Sequence, residues 1–141
     1  MKNTVASSMV LKVKIVNTGF AKGALLISQQ PISFFGGVDP LTGVIVEKNH
    51  PLEGVSLCRR ILAVPSSKGS TVGSYVIYGL AKRSVAPSGV ILGQKDSIIS
   101  AGAILSGIPV VIADIRRILS SFKNGETIIL DAKRGRILRS T

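Results

Sequence analysis

The chain has one cysteine, Cys58, in 141 residues. One thiol cannot close an internal disulfide, and it leaves a zinc or iron–sulfur centre short of the roughly three or four thiolates such sites take. Histidine is as scarce. His50 is the only one, and in a loop beside Pro51 it reads as a surface turn residue rather than a member of a catalytic triad. Aromatics make up 4% of the chain, with no tryptophan, so the core must be built from Ile, Val, Leu and Ala. No apolar run approaches the ~18 residues of a membrane-spanning helix. The opening stretch, Met1 to Leu11, superficially suggests a signal peptide. Lys12 and Lys14, however, alternate with Leu11, Val13 and Ile15, which is strand patterning, and a cytoplasmic protein is expected. Acidic residues are few: seven Asp and Glu against eighteen Lys and Arg give a net charge of +11. Such an excess speaks to partners rather than to fold. The basic residues are spread along the chain, with a modest cluster from Arg116 to Arg139. Without aromatic-interleaved basic motifs or helix-turn-helix punctuation, nucleic acid is the least supported partner, behind an acidic protein or an anionic small molecule.

What is present is enough for one domain over residues 1–141, with its core at about 9–139. Alternation over residues 9–16 predicts a strand, and further strands are expected at 23–28, 44–47, 60–64, 90–92, 109–113, 126–130 and 136–139. The loop from Lys48 to Gly54 is irregular, and Asp39-Pro40 marks a tight turn inside a glycine-rich stretch, Phe34 to Gly43. Helices are expected from Ser70 to about Ala86, with Val72, Val76, Ile77 and Leu80 as its apolar stripe, from Ser97 to Leu105, and from Asp114, as cap, to Phe122. Strands first, then strand–helix alternation, then a closing hairpin predict an α/β domain of mixed β/β/α type: a curved sheet or barrel with flanking helices.

The junction Pro65-Ser66-Ser67-Lys68-Gly69-Ser70-Thr71-Val72-Gly73-Ser74-Tyr75 concentrates hydroxyls and small residues between a strand and a helix. A turn of that kind leaves backbone N–H groups free to meet an anion. Ser70 is the candidate reactive residue, since those N–H groups would favour an ionised or proton-accepting hydroxyl. Helix capping explains the same serine, and the residues alone leave both roles open. Ser67 is a candidate hydrogen-bond donor to a ligand, and Lys68 a point charge for a carboxylate or phosphate or else a solvated turn residue. A P-loop is excluded: Lys68-Gly69-Ser70-Thr71 inverts the required Gly-Lys-Ser/Thr order. Gly-X-Ser-X-Gly is absent around Ser70, which removes the hydrolase nucleophile elbow. Asp39 beside Gly36-Gly37 suits a ligand-facing loop or an ordinary turn. Cys58, beside Arg59 and Arg60, reads as a half-buried cysteine at a strand edge rather than a reactive thiol.

Several blocks in order resemble the small subunit of the aconitase X family. They are Ser33-Phe34-Phe35-Gly36-Gly37-Val38-Asp39, Thr42-Gly43-Val44-Ile45 and His50-Pro51-Leu52-Glu53-Gly54, then the Pro65 to Val76 block, Ala86-Pro87, Ile98 to Ala103 and Gly107 to Val111. The resemblance spans roughly residues 10 to 135. It implies a swivelling β/β/α domain similar to the fourth domain of aconitase, and it implies that Ser70 is the proton acceptor of a dehydratase. The form Lys-Gly-Ser-Thr-Val-Gly-Ser-Tyr-Val is most similar to family members that dehydrate (R)-5-phosphomevalonate to trans-anhydromevalonate 5-phosphate in a modified mevalonate route to isoprenoids. Members acting on cis-3-hydroxy-L-proline, which tend to carry Arg-Gly-Ser, are the alternative, and a basic RNA-binding or scaffold module is the remoter one. The substrate contacts expected on this reading are Ser67, Lys68, Gly69 and Thr71 around Ser70, with Gly36, Gly37 and Asp39 from the glycine-rich turn. No metal ligand is expected in the chain, so the iron–sulfur cluster that the resemblance implies must lie in a larger partner subunit.

Overall fold

The computed structural model describes residues 10–140. Met9, placed by the alternation at the start of the first strand, lies outside the described residues, as does most of the Met1 to Leu11 stretch. The elements are β1 (Val10–Lys12), β2 (Lys14–Asn17), β3 (Phe20–Ile27), β4 (Ile61–Val64), α1 (Gly73–Lys82), β5 (Gly89–Leu92), α2 (Ser97–Ser106), β6 (Val110–Ile112), α3 (Ile115–Ser121), β7 (Thr127–Asp131) and β8 (Arg136–Arg139). They form one mixed sheet in the order β1-β8-β7-β3-β4-β5-β6-β2. β1 and β2 are separated by Val13 alone yet occupy the two ends of that order. One extended segment therefore joins both edges, and the sheet curls into a barrel. β3 serves two neighbours in the same way: Phe20–Ala24 pair antiparallel with β7, and Leu25–Ile27 pair parallel with β4.

β3, β4, β5 and β6 run parallel, and a parallel pair needs a crossover segment. α1 and α2 are the crossovers from β4 to β5 and from β5 to β6. Every residue of β4 and β5 is buried, the signature of parallel strands covered on both faces. Side chains alternate between two cores. Leu26, Leu62, Val64, Val90 and Leu92 face α1 and α2 and meet Ile77, Leu80 and Ile99. Leu25, Ile61, Ala63, Ile91 and Val111 face the other way, onto Ile118, Phe122, Ile128, Leu130 and Ile137. Each large aliphatic side chain so buried contributes about 1.5–3 kcal/mol.

Four expectations are corrected. Residues 44–47 make only isolated bridges, Val44 to Ser56 and Ile45 to Val38, because the N–H groups of Val46 and Glu47 both turn back to the Gly37 carbonyl. The first helix spans Gly73–Lys82 rather than 70 to 86. Ser84 takes a left-handed φ of 61° beyond its end, and Val72, expected in its buried stripe, is exposed. His50 is buried, not a surface residue. Its Nδ1 accepts from the Leu52 N–H at 3.0 Å, and its Nε2 lies 3.1 Å from the Pro31 carbonyl, so it ties the loop to the segment before the glycine-rich turn. Cys58 is half-buried as expected, but in a turn rather than at a strand edge, with its Sγ 3.5 Å from the Ser84 carbonyl.

Candidate active site

β4 delivers the chain to Pro65, and the next helical residue is Gly73. The connection is anchored along its first half. The Gly93 N–H donates to the Pro65 carbonyl, Ile32 N–H to Ser66 O and Lys68 N–H to Ile32 O, so Ser67 forms a parallel bridge with Ile32. Ser67 is gripped from the other side. Its N–H donates to Asp96 Oδ2 at 2.6 Å, and its hydroxyl donates to the same carboxylate at 2.7 Å. Lys68 Nζ stands 2.7 Å from Glu47 Oε2, while Glu47 Oε1 accepts from the Ser33 N–H at 2.9 Å. Burial pushes the Glu47 carboxyl up, but the hydrogen bonds from Lys68 and Ser33, with the Lys68 charge, outweigh it and hold the group below its ordinary value.

Gly69 then turns the chain with φ of +90°, a conformation that costs a side-chain-bearing residue about 1–2 kcal/mol. A Cβ there would also lie 3.1 Å from Ser33 Oγ. Ser70 follows, exposed. Its Oγ accepts from the Val72 N–H at 3.1 Å, and its carbonyl accepts from Gly73 N–H. Ser70 therefore precedes the helix by a turn instead of occupying its first position, and its hydroxyl proton is free. Around it, Ser33, Ser67 and Ser74 donate theirs to Phe35 O, Asp96 and Ile98 O. The N–H groups of Gly69, Ser70 and Thr71 have no acceptor among the described residues. An exposed hydroxyl that accepts an N–H bond, beside unpaired N–H groups, is suited to carry or meet negative charge.

The turn Phe34–Gly37 lies against this loop. Between it and α1 opens an apolar cleft of about 640 Å³, lined by Phe35, Val46, Val72, Tyr75, Val76 and Arg83 among others, with Gly36 and Asp39 also on its wall. Gly37 sits behind, buried against Glu47. Asp39 holds its own turn, accepting from the Leu41 N–H at 2.9 Å. A second, more polar opening of about 430 Å³ lies between Gln29, Pro65, Gln94, Asp114 and Arg116, at the carboxyl ends of the parallel strands, where sheets of this kind commonly bind ligands. The expected residues thus gather in one corner of the molecule. Thr71 shares the exposed turn with Ser70. Sequence reasoning missed Asp96 and Glu47, the carboxylates that brace the loop. Asp96 stands directly before the helix expected from Ser97, a position from which it could have been read as a cap, but no sequence signal points to Ser67 twenty-nine residues away.

An iron–sulfur cluster does not fit this chain. Cys58 is its one thiol, and no three His, Cys, Asp or Glu side chains converge on a metal-sized site among the described residues. No helix among them is long and apolar enough to cross a membrane.

A curled mixed sheet, two crossover helices and a serine-bearing strand–helix loop define a swivel domain of the aconitase X kind, and residues 10–139 match the model of the aconitase X swivel domain. The chain belongs to that family. The phosphomevalonate dehydratase small subunit of Pyrococcus furiosus is 43% identical over 130 residues, covering 92% of this chain and 94% of the relative. The same-named subunit of Methanothermobacter thermautotrophicus is 40% identical over 129 residues, with 92% and 98% covered. The crystal structure of Thermococcus kodakaraensis aconitase X in its holo-form superposes with a TM-score of 0.87 at 39% identity, covering 94% of this chain and 99% of that one.

Proposed function

We propose that this chain is the small subunit of a cytoplasmic hydro-lyase that dehydrates (R)-5-phosphomevalonate to trans-anhydromevalonate 5-phosphate, and that it works only with a larger subunit. The relatives' shared name supports both the reaction and the partner. The cluster that the family resemblance implies is assigned to the larger subunit, because one cysteine cannot hold it.

The observation that carries the role of this chain is Ser70: exposed, its proton uncommitted and its Oγ already accepting an N–H, on a loop braced by two carboxylates. Dehydration takes a proton from the carbon beside the substrate carboxylate, and a hydroxyl leaves the neighbouring carbon. Ser70 first gives its own hydroxyl proton to solvent, and the resulting alkoxide takes the substrate proton and becomes a neutral hydroxyl again. The Val72 N–H and the unpaired N–H groups of the turn stabilise that alkoxide. Lys68, half-exposed beside it, supplies positive charge for the anionic substrate, and Gly36, Gly37, Thr71 and Asp39 shape the approach.

The test is Ser70→Ala in the reconstituted two-subunit enzyme. Assembly should be unchanged and turnover should fall by about 10²–10⁴-fold, the usual worth of a positioned proton acceptor. Near-normal turnover, or activity confined to cis-3-hydroxy-L-proline, would refute the assignment.

A further inference from the structure

Asp96 is the one side chain that ties the loop carrying Ser70 to a different element of the fold through several bonds at once. Its two oxygens receive three donor groups: Ser67 N–H at 2.6 Å, Ser67 O–H at 2.7 Å and 2.9 Å, and Ile99 N–H at 2.9 Å. The last of these caps α2. The cap needs only one oxygen, whereas the other bonds reach from the loop after β5 to the loop after the neighbouring strand β4. Beyond Ser67 and Lys68, no hydrogen bond among the described residues joins Gly69, Ser70 or Thr71 to anything outside the turn and the first turn of α1. Ser70 is therefore held from one side by the start of α1 and from the other by where Ser67 and Lys68 are held. Lys68 is held by a half-exposed ion pair, which tethers weakly. Ser67 is held by a charged acceptor through short bonds, the stronger kind.

We infer that Asp96 is a positioning residue for the reaction: through Ser67 it fixes the turn that presents the Ser70 hydroxyl. The inference rests on the proposed role of Ser70. A carboxylate is required and not merely an oxygen, because all three groups that meet Asp96 are donors and an amide would turn an NH₂ toward one of them. A geometric error of about an ångström at a reacting group costs on the order of a hundredfold in rate.

Asp96→Asn separates the two duties of the residue. Asparagine caps a helix as well as aspartate does, so α2 keeps its bond to Oδ1 while the Ser67 N–H, which meets Oδ2, faces an NH₂ instead of an acceptor. In the reconstituted enzyme kcat should fall about 10–100-fold with KM changed less than twofold. In the full chain, amide exchange at Ser67 and Lys68, whose N–H groups are bonded to Asp96 and to the Ile32 carbonyl, should rise about tenfold while the α2 amides stay as protected as before. Ser67→Ala keeps the N–H bond and loses the hydroxyl, so its effect on kcat should be smaller, and the double variant should be no worse than Asp96→Asn alone. Wild-type kcat in Asp96→Asn, a rise in KM at constant kcat, additive effects of the two substitutions, or unchanged exchange at Ser67 and Lys68 would each overturn the inference. Failure of the underlying reading looks different: Ser70→Ala would then turn over normally, while the exchange measurement would still report whether Asp96 holds the loop.

Discussion

Glu47 shows how much of the site is fixed by single groups outside the Pro65 to Tyr75 block. It joins three parts of the chain, the Ser33 N–H, Lys68 and, behind it, Gly37, so its charge is spent inside the fold rather than on solvent. Glu47→Gln should lower stability by about 1–2 kcal/mol, as expected when a partly buried acceptor of charged and backbone donors is neutralised. The pH dependence follows from the depressed carboxyl. The unfolded chain takes up the proton first, so this contribution is complete above the ordinary glutamate value of 4.5 and is lost as pH falls through the lower folded value. The urea midpoints of wild type and Glu47→Gln should therefore differ near neutral pH and converge as pH falls through the lowered folded-state value. A gap that stays constant across that range would show the pair to be energetically silent.

Elements were the most legible level. The limits of α2 and α3 lay within a residue or two of those expected, α3 with Asp114 as its cap, and β8 fell on residues 136–139 as expected. α1 was drawn too long because neither flank, Ser70 to Val72 or Arg83 to Ala86, contains a glycine or proline to mark the break. Tertiary demands decided against helix there: Ser70 to Val72 belong to the turn, and Ser84 adopts a left-handed conformation. The strand expected at 44–47 failed because the N–H groups of Val46 and Glu47 share one carbonyl, Gly37, which no local pattern encodes. The candidate site was legible as a cluster of loop residues, but its braces were not, since Ser67–Asp96 and Lys68–Glu47 are long-range pairs between ordinary turn and loop residues. Between the two crossover helices, a close fit lies at Gly102 on α2. A Cβ there would lie 2.9 Å from Ile77 Cβ and 2.9 Å from the Ser74 carbonyl of α1. Gly102→Ala must push α2 away from α1, and the overpacking should cost about 1–3 kcal/mol in a denaturation midpoint despite alanine's better helix propensity. A stabilised variant would mean that the helices do not pack as tightly as described.

For the whole molecule, the decisive feature is one that alternation along a single segment cannot reveal. The sequence presents residues 9–16 as one strand, and nothing in it says that the segment pairs with β8 through Val10–Lys12 and with β6 through Lys14–Asn17. That split closes the barrel, and it occurs at Val13, whose N–H donates to the Gly135 carbonyl at 2.9 Å. The β7–β8 turn is fixed for this contact by Asp131, which accepts from the Lys133 and Arg134 N–H groups and pairs with Arg134 and Arg136. Gly135 sits there at φ of +69°, and a Cβ would come 2.9 Å from the Val13 carbonyl oxygen. Gly135→Ala therefore meets both a left-handed backbone and a backbone atom at the closure point. Gly125 provides the control: its φ of +89° demands the same conformation, but a Cβ there meets nothing within 4 Å. Gly125→Ala should cost only the conformational term, about 1–2 kcal/mol, and Gly135→Ala distinctly more, about 2–4 kcal/mol once the clash is added. Amide exchange should place the difference at β1, β2 and β8, with β4 and β5 unaffected, because the parallel centre is buried on both faces and keeps its own ladder. Equal costs for the two substitutions would mean that the first strand does not hold the sheet's edges together.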